Sequence, residues 1–212
     1  MTYLITFACY GAHLNGDEAG SVDRLHNQPG SRAIAADAGR VRLERRLMDQ
    51  APYIMDPARR EAVLAALLER SKQRGWNLLA AHARENHVYV VIEAGAAPER
   101  IMNDLKAYAS RKLNRLQLDE PDRKRWARHG STRWLPESPQ VLAAVRYVTE
   151  KQGEPMAVYV APEQRADPPF GRGSLAERSI RSYFDPHMFA LFCFHRRPLI
   201  LCKFCADSLP EY

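Results

Sequence analysis

Long hydrophobic runs are missing from this chain, and its first residues do not read as a secretory signal. No stretch approaches the ~20 apolar residues of a membrane-crossing helix. Met1 to Gly11 lacks the basic start and small-residue cleavage site of a secretory signal, so a cytoplasmic location without a membrane partner is expected. Cysteine is scarce, with 4 among 212 residues. Three of these, Cys193, Cys202 and Cys205, fall near the end with His187 and His195. A zinc knuckle needs four well-placed ligands, and only Cys202 and Cys205 have a suitable short spacing; an ordinary reduced-cysteine tail is the expectation. Acidic residues are outnumbered, 25 to 31 basic ones, giving a formal charge of +6. That balance favours a polyanionic partner without separating nucleic acid from another anionic surface.

What is present is enough apolar material, 46% of residues, for a packed core. Tyr3 to Tyr10 forms a β-rich run ending at Gly11. Residues 13–40 form a long polar insertion in which Gly, Asp, Asn and Pro oppose regular structure. Its Asp17, Glu18, Asp23, Arg24, His26 and Asn27 put many functional groups in one loop. A short basic helix at Val41 to Met48 precedes a longer one capped by Asp56 and Pro57 and stopped by Gly75. Leu78 to Ala83 and Val88 to Ile92 then read as a hairpin. After Pro98, the residues Ile101, Leu105, Tyr108, Ala109, Leu113 and Leu116 recur at helical spacing. A short strand near Ser131 to Leu135 completes a β-α-β-β-α-β order. The expected fold is α+β, a ferredoxin-like antiparallel sheet with helices on one face. Ser138 to Gln152 adds a helix with Val141, Leu142, Val145 and Val148 inward, to which a packing role is assigned. Beyond Val160, prolines and glycines suggest a linker. The organisation is thus a domain over residues 1–160 and an extension over 161–212.

Basic groups border the central helix. Lys106, Arg111, Lys112 and Arg115 lie beside the stripe that carries Tyr108. Farther on, Arg123, Lys124, Arg125, Arg128 and His129 surround Trp126. Charge follows phosphates and an aromatic ring stacks on bases, so Arg125 and Trp126 are candidates for holding a single strand.

Two motifs carry a resemblance. Asn-His-Val-Tyr-Val-Val at 86–91, followed by Leu-Lys-Ala-Tyr-Ala-Ser-Arg-Lys-Leu at 105–113, resembles the single-tyrosine HUH transposases, in particular the REP-associated tyrosine transposases. The likeness continues at residues 5–11, 16–24, 129–134 and 153–156 and covers roughly Thr2 to Tyr159. It implies a homodimer acting on single-stranded or hairpin DNA with a divalent ion, magnesium or manganese, held by the paired histidines of the strand. It also places the segment around Arg24 and His26 near DNA.

The chemistry asks for a nucleophile that survives as a phosphodiester, and a tyrosine hydroxyl meets that need by forming a phosphotyrosine. Tyr108 is the candidate, with Arg111 and Lys112 close enough in sequence to favour its phenolate. The ion would polarise the scissile phosphate. His87 keeps the first histidine of the motif, but Tyr89 stands where the second belongs, and period-two geometry aims both at one face. If Arg84 pairs with His87 across the hairpin, His82 lies opposite Tyr89 and could replace the missing ligand. The resulting expectation is a nuclease or transposase with a 5′-phosphotyrosine intermediate. The alternative is a catalytically impaired descendant that binds structured single-stranded DNA.

Overall fold

The computed structural model describes residues 1–14, 16–17 and 36–164. Its elements run β1 (Thr2–Cys9), α1 (Ala38–Leu47), α2 (Pro57–Arg74), β2 (Asn77–Ala83), β3 (His87–Glu93), α3 (Pro98–Arg115), β4 (Trp126–Leu135), α4 (Ser138–Glu150) and β5 (Ala157–Val160). The five strands form one sheet in the order β4-β1-β3-β2-β5, with every pairing antiparallel. The α+β ferredoxin-like expectation is met, and β5 extends the sheet by one strand that the sequence reading did not contain. Arg24, His26 and the extension beyond Gln164 lie outside the described residues.

Helix α2 begins where Asp56 accepts a hydrogen bond from the Arg59 amide at 2.8 Å, with Pro57 in the first turn. It ends at Gly75, whose φ of +65° is the left-handed conformation that lacks a steric cost only for glycine. Helix α3 starts with Pro98 and buries Ile101, Leu105, Ala109 and Leu113. These two helices cover one face of the sheet. There Ile5 and Phe7 of β1 and Val88, Val90 and Ile92 of β3 meet Val63, Leu67, Leu105 and Leu113 in the larger core cluster.

Alternation along the strands sends the intervening residues to the opposite face. Leu4, Ala80 and Val91 join Ala144, Val145 and Val148 of α4 in a second, smaller cluster, with Tyr89 and Tyr147 packed at its margin. Leu142, expected inward, is 37% exposed because it falls outside this stripe. The layer of α2 and α3 therefore has a counterpart behind the sheet.

Strand β4 starts at Trp126, earlier than expected. It is an edge strand, and its Gly130 allows the close approach: an added Cβ would sit 2.5 Å from the Thr6 carbonyl oxygen and against Met102 Sδ.

Candidate active site

The register of the β2–β3 hairpin is the one on which the His82 argument depended. The Arg84 amide donates to the His87 carbonyl at 2.8 Å, and His82 lies directly across from Tyr89. The ring of His82 is nonetheless committed. Its Nδ1 lies 2.9 Å from the Val148 carbonyl oxygen, and its Nε2 accepts from the Met156 amide at 3.2 Å. Both nitrogens are used, which removes His82 from the candidate metal ligands: the lone pair that would reach an ion already holds a backbone N–H. Burial keeps this ring neutral by lowering its pKa, against the opposing pull of the Val148 carbonyl.

His87 and Tyr89 project from β3 to the α4 side, their rings 6.2 Å apart and nearly parallel. Tyr147 of α4 meets Tyr89 edge-on, also at 6.2 Å. At the other end, His13 closes the row, its Nε2 only 2.7 Å from Nε2 of His87. The His87 Nδ1 lies 2.9 Å from the Asn86 side-chain oxygen, which has to accept a proton from it and so turns the basic nitrogen towards His13. Thr6, cross-strand from Tyr89, buries a hydroxyl that finds no hydrogen-bond partner.

The electrostatics of this row follow from its partial dehydration. Burial first, then the neighbouring His13 and Arg84, push the His87 pKa down to about 4. Burial also lowers that of His13, partly offset by Asp17. The Tyr89 phenol is pushed up to about 12, by burial and then by Tyr147, with Arg84 opposing. Tyr147 is likewise raised by burial, and a Gln152 hydrogen bond works against that. At neutral pH the row is uncharged, and Arg84 is the cation whose field reaches His82, His87 and Tyr89 together.

Tyr108 is not part of this arrangement. Helix α3 carries it on the α2 side of the sheet, against the larger core cluster, whereas His87 points to the α4 side. Its hydroxyl accepts from Gln73 Nε2 at 2.9 Å and donates to Glu69 at 3.4 Å, while Arg70 and Arg111 flank the ring. It fastens α2 to α3. The expected pairing of Tyr108 with His87 is corrected on that ground: the sheet itself lies between them.

The basic residues follow suit. Lys106 is 6% exposed, and its ammonium donates to the Ala127 and His129 carbonyls at 3.0 Å, so it ties α3 to β4 and does not reach a strand. Lys112 forms an ion pair with Glu69, which also draws Arg115 to 3.9 Å. Arg111 and Arg115 are exposed, but on the side away from His87. Arg125 is 4% exposed and paired with Asp119 at 2.8 Å, and Trp126 donates to Lys106 O and Ser110 Oγ while its ring meets Phe7. Neither is available as a platform for bases.

Sequence reasoning missed His13 and Tyr147. A signal for His13 existed: it lies just past the end of β1, whose partner in β3 ends at His87. Tyr147 stands on the helix to which a packing role is assigned, and no motif singles it out. Periodicity shows that a helix has a buried face without showing which side of the sheet receives it.

No family model matches the chain, and no curated protein is recognisably similar to it in sequence. Among solved structures it resembles two transposases. One is a REP-associated tyrosine transposase bound to a REP hairpin, with 9% identity and a TM-score of 0.39 over 70% of this chain and 64% of that one. The other is a candidate transposase from Deinococcus radiodurans, with 12% identity and a TM-score of 0.39 over 65% of this chain and 80% of that one. The chain thus spans under two thirds of the first neighbour's length.

Among the described residues no group of three or more His, Cys, Asp or Glu side chains gathers as a ready metal cage, and no helix is long and apolar enough to cross a membrane.

Proposed function

We infer that the chain cuts and rejoins single-stranded DNA through a tyrosine, and that Tyr147 is the nucleophile. The observation that carries this reading is the row of rings from His87 through Tyr89 to Tyr147 on one face, at centroid spacings of 6.2 Å. It puts a phenol and an imidazole over the same stretch of sheet, as the motif at 86–91 demands.

In the reaction the Tyr147 Oη bonds to phosphorus, the bond from phosphorus to the 3′ oxygen breaks, and the phenolic proton leaves. A 5′-phosphotyrosine and a free 3′-hydroxyl result once that oxygen takes a proton. Attack by a 3′-hydroxyl on the phosphotyrosine reverses the step and joins a new end. Because burial raises the Tyr147 pKa, its phenolate needs a nearby cation as charge develops. Arg84, whose field reaches His87 and Tyr89, bears on the phosphate: its Nη1 donates to the Glu154 carbonyl at 3.1 Å, which steadies the guanidinium beside that end of the row while leaving donors for a phosphate oxygen. A divalent ion bound at His87 would supply Lewis-acid polarisation of the scissile phosphate. Tyr89, a neutral phenol at pH 7, is a spacer and stacking surface between the two ends of the row.

The test is a denaturing gel for a covalent adduct with labelled single-stranded hairpins, with manganese or chelator. Wild type and Tyr108→Phe are expected to form the adduct and Tyr147→Phe to lose it. An adduct that survives Tyr147→Phe but not Tyr108→Phe would sink the assignment. The absence of a third metal-type ligand among the described residues favours a second reading, strand binding without cleavage. Retained hairpin binding with no adduct in any protein, across a library that includes the natural flanking DNA, would select it. Sedimentation of the free protein checks the homodimer that the motif resemblance implies.

A further inference from the structure

We propose that His13 and His87 form a two-imidazole clamp for a late first-row divalent cation of the cobalt, nickel or zinc kind, with His13 taking the place that Tyr89 leaves vacant in the strand motif. The inference rests on reading this face as the reacting site.

The two Nε2 atoms meet at 2.7 Å across 74 residues of chain. Two imidazoles so placed share one proton in an N–H···N bond. Metal–nitrogen bonds of about 2.0–2.1 Å at square or tetrahedral angles need the nitrogens about 3.0–3.4 Å apart. The clamp therefore has to open by roughly half an ångström. His13 can provide that opening, because it is exposed and lies past the last paired residue of β1.

Three further features suit ligation. The Asn86 oxygen takes the Nδ1 proton of His87, which is the support that metal-bound histidines commonly have on their far nitrogen. The two rings meet edge-on at 61° with centroids 4.7 Å apart, an approach that brings both Nε2 atoms to one point. The turn after His13 is built: the Leu14 amide donates to Asp17 Oδ2 at 2.8 Å, and the Asp37 amide at the start of α1 donates to Gly16 O at 2.9 Å. These bonds fix the chain just past His13 and leave its exposed ring to adjust.

The donor set decides the ion. Imidazole nitrogen suits cobalt, nickel and zinc, whereas magnesium wants oxygen, and no carboxylate of the described residues joins the pair. Two positions filled by protein leave the others for water and a phosphate oxygen. Tyr89 takes no part, since a phenol is a poorer ligand for these ions than imidazole.

The experiment is a titration of the full chain with cobalt(II) at pH 7.5, followed by visible absorption and by calorimetry, without DNA. Wild type is expected to take up a single equivalent with weak ligand-field bands. His13→Ala and His13→Gln should each weaken binding by roughly tenfold or more, with circular dichroism unchanged because His13 is exposed. Tyr89→Phe should leave affinity within about twofold. Unchanged affinity in both His13 variants overturns the clamp. Intense thiolate charge-transfer bands would do the same by placing the ion on cysteines. Cobalt uptake with His13 dependence but no DNA adduct leaves the clamp standing and removes the nuclease, while an adduct without cobalt uptake does the reverse.

Discussion

The two faces of this sheet are built for different ends. On the α2 and α3 side, apolar residues fill the space between layers, and every polar group named there is locked to a partner: Asp104 with Arg70 and Arg74, Asp119 with Arg59 and Arg125, Tyr108 with Gln73 and Glu69. On the α4 side the apolar cluster is smaller, and a row of rings borders it; buried hydroxyls without a partner among the described residues occur on both sides, Ser71 on α2 and Thr6 beneath the row. The comparison teaches that burial of a tyrosine or a lysine near a motif is not a sign of chemistry. What separates Tyr108 from Tyr147 is the layer that holds each one: Tyr108 ties α2 to α3, whereas Tyr147 stands on α4 in line with Tyr89 and His87.

The sharpest way to break the contrast is to swap tyrosines. Tyr147→Phe should remove the covalent adduct altogether, a loss of at least roughly a thousandfold for a missing nucleophile, and leave the melting temperature close to wild type. Next in size comes Asp119→Ala on the opposite face. It strands the buried Arg125 guanidinium, and leaving one partner of such a pair uncompensated costs about 3–5 kcal/mol; urea denaturation reads this directly. Leu105→Ala, at 0% exposure, should cost about 2–5 kcal/mol through the cavity it opens. The folded fraction of that variant should still react with DNA.

A smaller effect separates the faces by pH. His82 and His87 have lowered pKa values in the fold, the latter about 4, so the unfolded chain binds more protons than the folded one between that value and ~6.5. Stability is therefore expected to rise with pH through this window and to be lost as acid protonates the unfolded rings first. His87→Gln should flatten the slope in urea titrations at pH 4.5 and 6.5. The smallest expected change is Tyr108→Phe, about 0.5–1.5 kcal/mol for the lost hydrogen bonds, with cleavage intact.

Much of the architecture could be read directly from residue patterns. Alternation at Val88, Val90 and Ile92 and the caps at Asp56 and Gly75 are local signals, and the structure honours them. The hairpin register that puts His82 opposite Tyr89 was only one alternative in the sequence, conditional on an Arg84–His87 pairing that the structure contains. Three things were not local. Which side of the sheet receives a helix depends on packing between layers, so the helix carrying Tyr108 and the one carrying Tyr147 could not be told apart by periodicity. Whether a ring nitrogen is free depends on distant backbone, here Val148 and Met156 for His82. Finally, the basic run from Arg123 to His129 looks like a solvated patch, yet Arg123 donates to the carbonyls of Ala51 and Pro52 and to Gln50, while Arg125 is buried. Charge density in a sequence says nothing of where each guanidinium finds its acceptor.

The spacing of the row along the chain has a consequence for timing during synthesis. His13 follows the first strand, His87 opens the third, and Tyr147 arrives only with the last helix. No contiguous fragment shorter than that span holds all three. A copy ending before α4 therefore keeps His13 and His87 but lacks Tyr147, together with the α4 residues of the second cluster and the β5 residue Ala157 of the first. On the reading proposed above, order of synthesis installs the nucleophile after the imidazoles.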